Sequence, residues 1–262
     1  MSSEDIFELY GEIKDDLKFI TSSDIRSKII ISLKEGQKKL GDLKDEVHMR
    51  SSSILHSMSQ LESRDLIIRE FQSYSLSQTG EMIAIILIDM INSFSLIKKH
   101  KEFWLDHELK EIPEELIDQI ECLGDFKVIN SPILDSLGQF IFKELFCKSK
   151  VIKGIISPLI IYDELKVANE KDNIHIILAD NTLNEVLDFE NNTIEKIKLW
   201  KIKEDLKLVL IVTDNFLLLK LPELNEKQDF PSYLMSETEE SIKWGNKLFN
   251  YYLNQAEELN DI

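Results

Sequence analysis

The stretch Ser51-Ser52-Ser53-Ile54-Leu55-His56-Ser57-Met58-Ser59-Gln60-Leu61-Glu62-Ser63-Arg64 decides how the chain is read. At about 100° per residue from Ser52, Ile54, Leu55, Met58 and Leu61 fall on one apolar stripe. Ser52, Ser53, His56, Ser57, Gln60 and Arg64 fall on the opposite side, so the periodicity predicts a helix over 52–64 with a short-chained polar face. An ordinary solvated helix favours Glu, Lys and Arg. This one carries six serines between Ser51 and Ser63, poor helix formers whose hydroxyls compete with the backbone. Small hydroxyls, an imidazole and an amide offer donors and acceptors without bulk, which suits base edges and phosphates.

Working outward, three helices are expected upstream. Ile6, Phe7, Tyr10, Ile13, Leu17 and Ile20 recur at helical steps. Ser22 or Ser23 caps a second helix that carries Ile25, Ile29, Ile30 and Leu33, with Gly36 as its stop. Leu40 to His48 gives a third, and Met49-Arg50-Ser51-Ser52 breaks it. Downstream, Leu66-Ile67-Ile68-Arg69-Glu70-Phe71 and Tyr74-Ser75-Leu76 flank Gln72-Ser73 as a short hairpin, after which Ser77 caps a long apolar helix. Three helices, a hairpin and a flanking helix are the winged helix-turn-helix order. In that frame Lys44, Arg50, Arg64 and Arg69 are the candidate phosphate contacts, with Lys38 and Lys39 just outside. His56, Ser52, Ser53, Ser57 and Gln60 face the bases.

The charge balance first argues the other way. In 262 residues, 31 Lys and Arg against 48 Asp and Glu give −17, a field that repels nucleic acid and membrane surfaces. Its distribution matters more. Residues 24–76 hold 9 basic and 8 acidic side chains, a net of +1, so the rest carries −18. Nonspecific DNA binding is therefore expected to be weak and steeply salt-dependent. The most lipid-like run, Met82 to Ile88, is far below the roughly 20 residues of a membrane span, and reads as a buried or dimer-interface helix. With no targeting pattern at the N-terminus and only two cysteines, Cys122 and Cys147, the expected setting is a reducing cytoplasm.

Beyond residue 96 the pattern changes. Pro113 starts a helix through Ile120. Lys127–Ile129, Ile133–Phe146, Val151–Ser157, Leu159–Glu170, Ile174–Ala179 and Leu183–Phe189 then alternate strand-like and helix-like, which predicts a mostly parallel sheet. Ile197 to Ile202 adds a strand. Leu206–Thr213 and Phe216–Leu221 around Asp214-Asn215 predict an antiparallel hairpin at the end of the sheet, and a helix from about Ser236 to Leu259 closes the chain. The expected organisation is an α+β winged helix-turn-helix domain over 1–96 and an α/β sensor domain over 97–262.

These residues carry a resemblance. Leu61-Glu62-Ser63-Arg64-Asp65-Leu66-Ile67 and Tyr74-Ser75-Leu76-Ser77-Gln78-Thr79-Gly80 look like the recognition-helix end and wing closure of archaeal and bacterial winged-helix regulators. Asp65 stands where that pattern has Gly, and Ser77 where it has Thr. Phe103-Trp104-Leu105-Asp106-His107 with Ile112-Pro113-Glu114-Glu115-Leu116, Ile155-Ile156-Ser157-Pro158, Leu210-Ile211-Val212-Thr213-Asp214-Asn215, and Ser241-Ile242-Lys243-Trp244-Gly245-Asn246-Lys247-Leu248-Phe249 resemble the effector domain of the methanogenesis and filament-formation regulatory family. The resemblance implies a transcription regulator whose second domain senses a signal, loosely similar to phospholipase-D-like folds.

Catalysis finds no support in the residues. A phospholipase-D-type site needs a His with a Lys two residues on, and His175 is followed by Ile176-Ile177. Nucleophile elbow, Walker loop, dinucleotide glycine fingerprint and zinc helix are all missing from the sequence. His100 and His107 read as packing or surface histidines, and no cofactor or metal is expected. Ser157, Asp180, Thr213, Asp214 and Asn215 follow apolar strands and are the candidate effector contacts, although turns use the same residues. The leading expectation is a homodimeric, sequence-specific DNA-binding regulator controlled by a small-molecule signal. The alternative is a winged-helix adaptor that docks another protein.

Overall fold

Ser2 and Asp5 close a reciprocal cap on the first helix. The Asp5 amide donates to Ser2 Oγ at 3.2 Å, and the Ser2 amide donates to Asp5 Oδ2 at 2.7 Å. In the computed structural model the described residues are 2–130, 148–156, 173–179, 197–203, 206–224 and 232–259. They form two compact units, Met1–Asn92 and Ser93–Ile262.

The first unit contains α1 (Ser3–Thr21), α2 (Asp24–Lys34), β1 (Lys38–Lys39), α3 (Leu40–Val47), α4 (Ser51–Glu62), β2 (Ile67–Glu70) and β3 (Ser73–Leu76). The helix α5 (Gln78–Lys99) runs across the boundary between the units. Ser23 caps α2 through the Arg26 amide. Ile29, Ile30 and Leu33 of α2 pack with Leu43, Val47, Ile54, Met58, Leu61, Ala84 and Leu87 into one core. The strands form an antiparallel sheet of order β1-β3-β2, with Glu70 opposite Ser73, so the hairpin turns at Phe71-Gln72 rather than at Gln72-Ser73.

The end of α4 shows how a short run of sequence sets a chain direction. The Leu66 amide donates to the Leu61 carbonyl at 3.0 Å and the Asp65 amide to the Glu62 carbonyl at 3.0 Å, the paired bonds of a Schellman stop. Asp65 sits at the left-handed position of that motif with φ 56°. A β-carbon there costs roughly 1 kcal/mol relative to glycine. Asp65→Gly is therefore expected to raise stability by about 1 kcal/mol in urea denaturation, since Ser77 Oγ bonds the Asp65 backbone oxygen and would keep its partner. A neutral or destabilising result would show that the carboxylate, not the backbone, sets this turn.

The second unit is built on an eight-stranded sheet of order β11-β7-β6-β5-β8-β9-β10-β4. The strands are β4 (Lys127–Asn130), β5 (Ile152–Ile156), β6 (Ile174–Ala179), β7 (Ile197–Ile202), β8 (Val209–Thr213), β9 (Leu217–Lys220), β10 (Ser232–Ser236) and β11 (Glu257–Glu258). Only β5–β6 and β6–β7 pair in parallel. The other five neighbours are antiparallel, so the sheet is mixed and the expectation of a mostly parallel one is corrected. Parallel neighbours need a long crossover, and only the connections on either side of β6 are long enough to combine with that pairing. The β8–β9 hairpin exists, but it lies inside the sheet, where β10 and β4 extend it. The expected helices over 133–146, 159–170 and 183–189 lie outside the described residues.

The middle strands are buried on both faces, which explains the unbroken apolar run Leu208-Val209-Leu210-Ile211-Val212. Leu210 and Val212 enter one cluster, Val209 and Ile211 the other. The helices α6 (Lys101–Asp106) and α7 (Glu114–Ile117) precede β4, a 3-10 turn occupies Ile120–Leu123, and α8 (Glu239–Leu253) packs Trp244, Leu248, Phe249 and Tyr252 into the first of those clusters. Trp244 donates its indole N–H to the Leu116 carbonyl at 2.9 Å. The buried Glu111 carboxylate accepts from the amides of Lys207 (3.2 Å) and Leu208 (2.6 Å), tying the entry of β8. Burial pushes its pKa up, against the pull of those two amides.

Candidate nucleic-acid interface

The recognition candidate α4 is rotated relative to its sequence-based reading. Ile54, Met58 and Leu61 are buried as expected, but so is Ser57, at 5% exposure. Leu55, expected inside, is 44% exposed. Gln60 is half-buried and accepts a hydrogen bond from Arg26 Nη1 at 2.9 Å. Arg64 forms an ion pair with Asp16 of α1 and lies 4.0 Å over the Phe19 ring, while Arg26 lies 4.2 Å from the same ring. Two neighbours hold these residues: Arg26 of α2 takes Gln60, and Phe19 near the end of α1 lies against the guanidiniums of Arg26 and Arg64. Ser57, Gln60 and Arg64 are thus engaged within the unit.

The face left open is Ser52, Leu55, His56, Ser59 and Ser63, with Ser53 at its edge. From Ser51 to Leu61 it holds no carboxylate. Arg50 supplies the N-cap backbone of α4 with φ −64° and ψ 141°, and its side chain is exposed. His48 closes α3 in the left-handed region at φ 56°, which reverses the chain between α3 and α4. Lys44 on α3 and Arg69 on β2 are exposed, and no ion pair engages Lys44, Arg50 or Arg69 among the described residues. Arg69 rests its guanidinium 5.7 Å from the Tyr74 ring centre. Lys38 differs: Glu35 at 2.7 Å and Glu46 at 2.6 Å hold its ammonium above the ordinary lysine value. Lys39 is exposed on β1.

The expected effector contacts resolve into turn chemistry where they can be seen. Thr213 Oγ1 accepts from the amides of Asn215 and Phe216, both at 3.0 Å. Asp214 Oδ1 accepts from the Lys150 amide at 2.9 Å, and the Asn215 amide group donates to Ser149 Oγ at 3.4 Å. Ser157 and Asp180 lie outside the described residues, as does Cys147; Cys122 is half-buried, with its Sγ 3.8 Å from Glu121 Oε1. His175 stacks on Trp200 at 5.3 Å, and no cluster of metal-binding side chains occurs among the described residues.

Comparison with known proteins places this architecture. Residues 14–95 match the N-terminal domain of the methanogenesis regulatory protein FilR1, and residues 110–255 match its middle domain. The chain belongs to the FilR1 family. FilR1 of Methanothrix harundinacea (strain 6Ac) is 25% identical over 259 residues, which covers 94% of this chain and 58% of that protein. The chain thus spans a little over half the length of that FilR1. Among solved structures, TrmBL2, an archaeal chromatin protein, is 14% identical with a TM-score of 0.41 over 98% of this chain and 100% of its own. Nuc, a phospholipase D family member from Salmonella typhimurium, is 11% identical with a TM-score of 0.33 over 52% of this chain and 99% of its own.

Proposed function

We propose that this FilR1-family chain is a sequence-specific DNA-binding transcription regulator, without enzymatic activity, that acts as a homodimer in the cytoplasm. The observation that carries the reading is the open face of α4, which holds no carboxylate from Ser51 to Leu61, with Glu62 exposed only at its C-terminal end, and is flanked by Arg50, Lys44 and Arg69, which take no ion pair among the described residues. In it, Ser52, Ser53, His56 and Ser59 read base edges, and the three cations hold phosphates. The rest of the molecule is acidic, so affinity rests on a correct site engaged by two copies. The second unit acts as the sensor that biases the spacing of the two recognition helices.

The test is a salt-titrated mobility-shift assay on the protein's own promoter. His56→Ala is expected to weaken specific binding by about 10-fold or more and to relax sequence preference. Arg50→Ala should weaken all sequences alike and lower the salt slope by about one. Arg64→Ala should act first on folding, because it strips the ion pair to Asp16 and the stack on Phe19. Unchanged binding in both His56→Ala and Arg50→Ala would overturn the assignment of this face. Capture of a protein in place of DNA would favour the adaptor.

A further inference from the structure

The hairpin of the first unit turns on a residue that stability alone does not account for. Phe71 takes the first position of the two-residue turn between β2 and β3 at φ 54°, in the left-handed region. Hairpin turns with a positive φ at that position take glycine there, because a β-carbon crowds the backbone. A bulky side chain in this conformation is an outlier. Phe71 is also 100% exposed, the highest value of any large apolar residue described. A ring that stays in water gains nothing on folding, so neither the turn nor the packing of this chain favours phenylalanine here. Strain kept at an exposed position points to use.

The surroundings of the ring narrow that use. Four residues separate the end of α4 from the start of β2, so the hairpin leaves directly from the helix proposed to read DNA. Arg69 lies opposite Tyr74 and takes no ion pair among the described residues. Strand alternation puts Glu70 on the other face of the hairpin from Arg69. The tip itself presents Glu70, Phe71 and Gln72, all exposed, and no cation. A wing that only captured phosphates would end on Lys or Arg. A protein partner fits no better. Stable protein interfaces bury about 800 Å² on each side, whereas the exposed large apolar residues of this hairpin are Ile68 and Phe71. A base step, by contrast, accepts a single ring.

We infer that Phe71 is an apolar wedge that enters the minor groove beside the site read by α4, partly unstacks one base step and kinks the duplex. Gln72, the next residue, supplies an amide that donates to the adenine N3 and thymine O2 acceptors of that groove. Pyrimidine–purine steps such as TA unstack most readily, so the wedge adds selectivity at a position that no side chain of α4 reads. The inference rests on the DNA-binding reading and deepens it.

Circular-permutation mobility shifts on the protein's own promoter measure affinity and bend together. The parent is expected to bend the fragment by about 20–90°. Phe71→Ala should lose most of the bend and bind about tenfold more weakly, the size of one lost base–aromatic contact. Phe71→Leu keeps an apolar wedge and should keep most of both. Phe71→Gly should lose the bend yet raise the urea midpoint, because glycine relieves the left-handed turn. Opposite signs in one variant exclude a folding defect as the cause. An unbent parent complex, or an unchanged bend and affinity in Phe71→Ala, would overturn the wedge and leave the α4 reading intact. Loss of dimer mass in Phe71→Ala with the bend unchanged would assign the ring to a second copy, and overturns it as well. A parent that shifts no promoter DNA removes the wedge and the DNA reading together.

Discussion

Gly80→Ala is expected to destabilise the first unit by about 3 kcal/mol, a large effect for the addition of one methyl group. The reason is contact with backbone. A β-carbon at Gly80 would lie inside van der Waals distance of the Leu66 carbonyl oxygen, and 3.0 Å from its carbon. A flexible side chain would move aside; a carbonyl that accepts the Ser77 amide at 3.0 Å cannot without breaking the join between wing and α5. Leu66 is also the residue whose amide closes the α4 stop, so displacing it pulls on the helix proposed to read DNA. Against this stands alanine's better helix propensity, worth up to about 1 kcal/mol. Gly11, in the middle of α1 with nothing within 4 Å of its built β-carbon, isolates that gain. Gly11→Ala should therefore stabilise by up to about 1 kcal/mol, while Gly80→Ala does the reverse. Urea denaturation of both variants decides it, and equal stability of Gly80→Ala and the parent would refute the close approach.

The same junction shows what sequence reveals and what it withholds. The Tyr74-Ser75-Leu76-Ser77-Gln78-Thr79-Gly80 run announces a strand, a cap and a glycine because each is a local requirement, and Ser77 Oγ does accept from the Gly80 amide at 3.0 Å. The extent and core side of α4 are local in the same sense, since a 3.6-residue period fixes which positions share a face. Which flank stays open is not local. It depends on the neighbouring helices: Arg26 of α2 holds Gln60, and Arg26 and Arg64 share the Phe19 ring of α1. Angle alone placed Ser57 among the exposed positions, because nothing in residues 52–64 records which neighbours pack against the helix. The β10 strand escaped for another reason. Ser232-Tyr233-Leu234-Met235-Ser236 is short and abuts the Thr238 cap of α8, so its apolar residues merge with a helical pattern. Strand direction in the larger sheet was likewise beyond reach, because runs buried on both faces look alike in parallel and antiparallel pairs.

Charge gains a spatial meaning from these details. Lys38 and Arg64, two cations near the reading helix, are spent on Glu35, Glu46 and Asp16. With Lys38, Arg64, Glu35 and Glu46 set aside, residues 24–76 keep 7 basic against 6 acidic side chains, a net still only +1. One copy has little to hold a duplex with, and this directs attention to how two copies would meet.

Ile86→Glu together with Met90→Glu is expected to turn the protein monomeric and to lower affinity for its operator by about 10²–10⁴-fold, the usual advantage of joining two half-site contacts. Met82, Ile86, Met90, Phe94 and Ile97 recur at three- and four-residue steps along α5 and are 39% to 68% exposed. Ile6, Phe7, Tyr10, Ile13 and Leu17 repeat the pattern on α1, from 39% to 72% exposed. Two such stripes on one chain exceed what scattered surface apolars require, and a self-complementary two-fold contact is the simplest cover. By length and composition α5 would also pass for a membrane span. Its Ala84 and Leu87, however, are buried at 0% and 4% in the core of the first unit, which leaves only one side for any partner. Because Ile86 and Met90 lie on that open side, the two substitutions spare the core and leave secondary structure and unfolding cooperativity intact. Sedimentation velocity should then give twice the monomer mass for the parent and the monomer mass for the variant, with the operator shift lost in parallel. A parent that sediments as a monomer, or that partitions into membrane vesicles through α5, would end the dimer model.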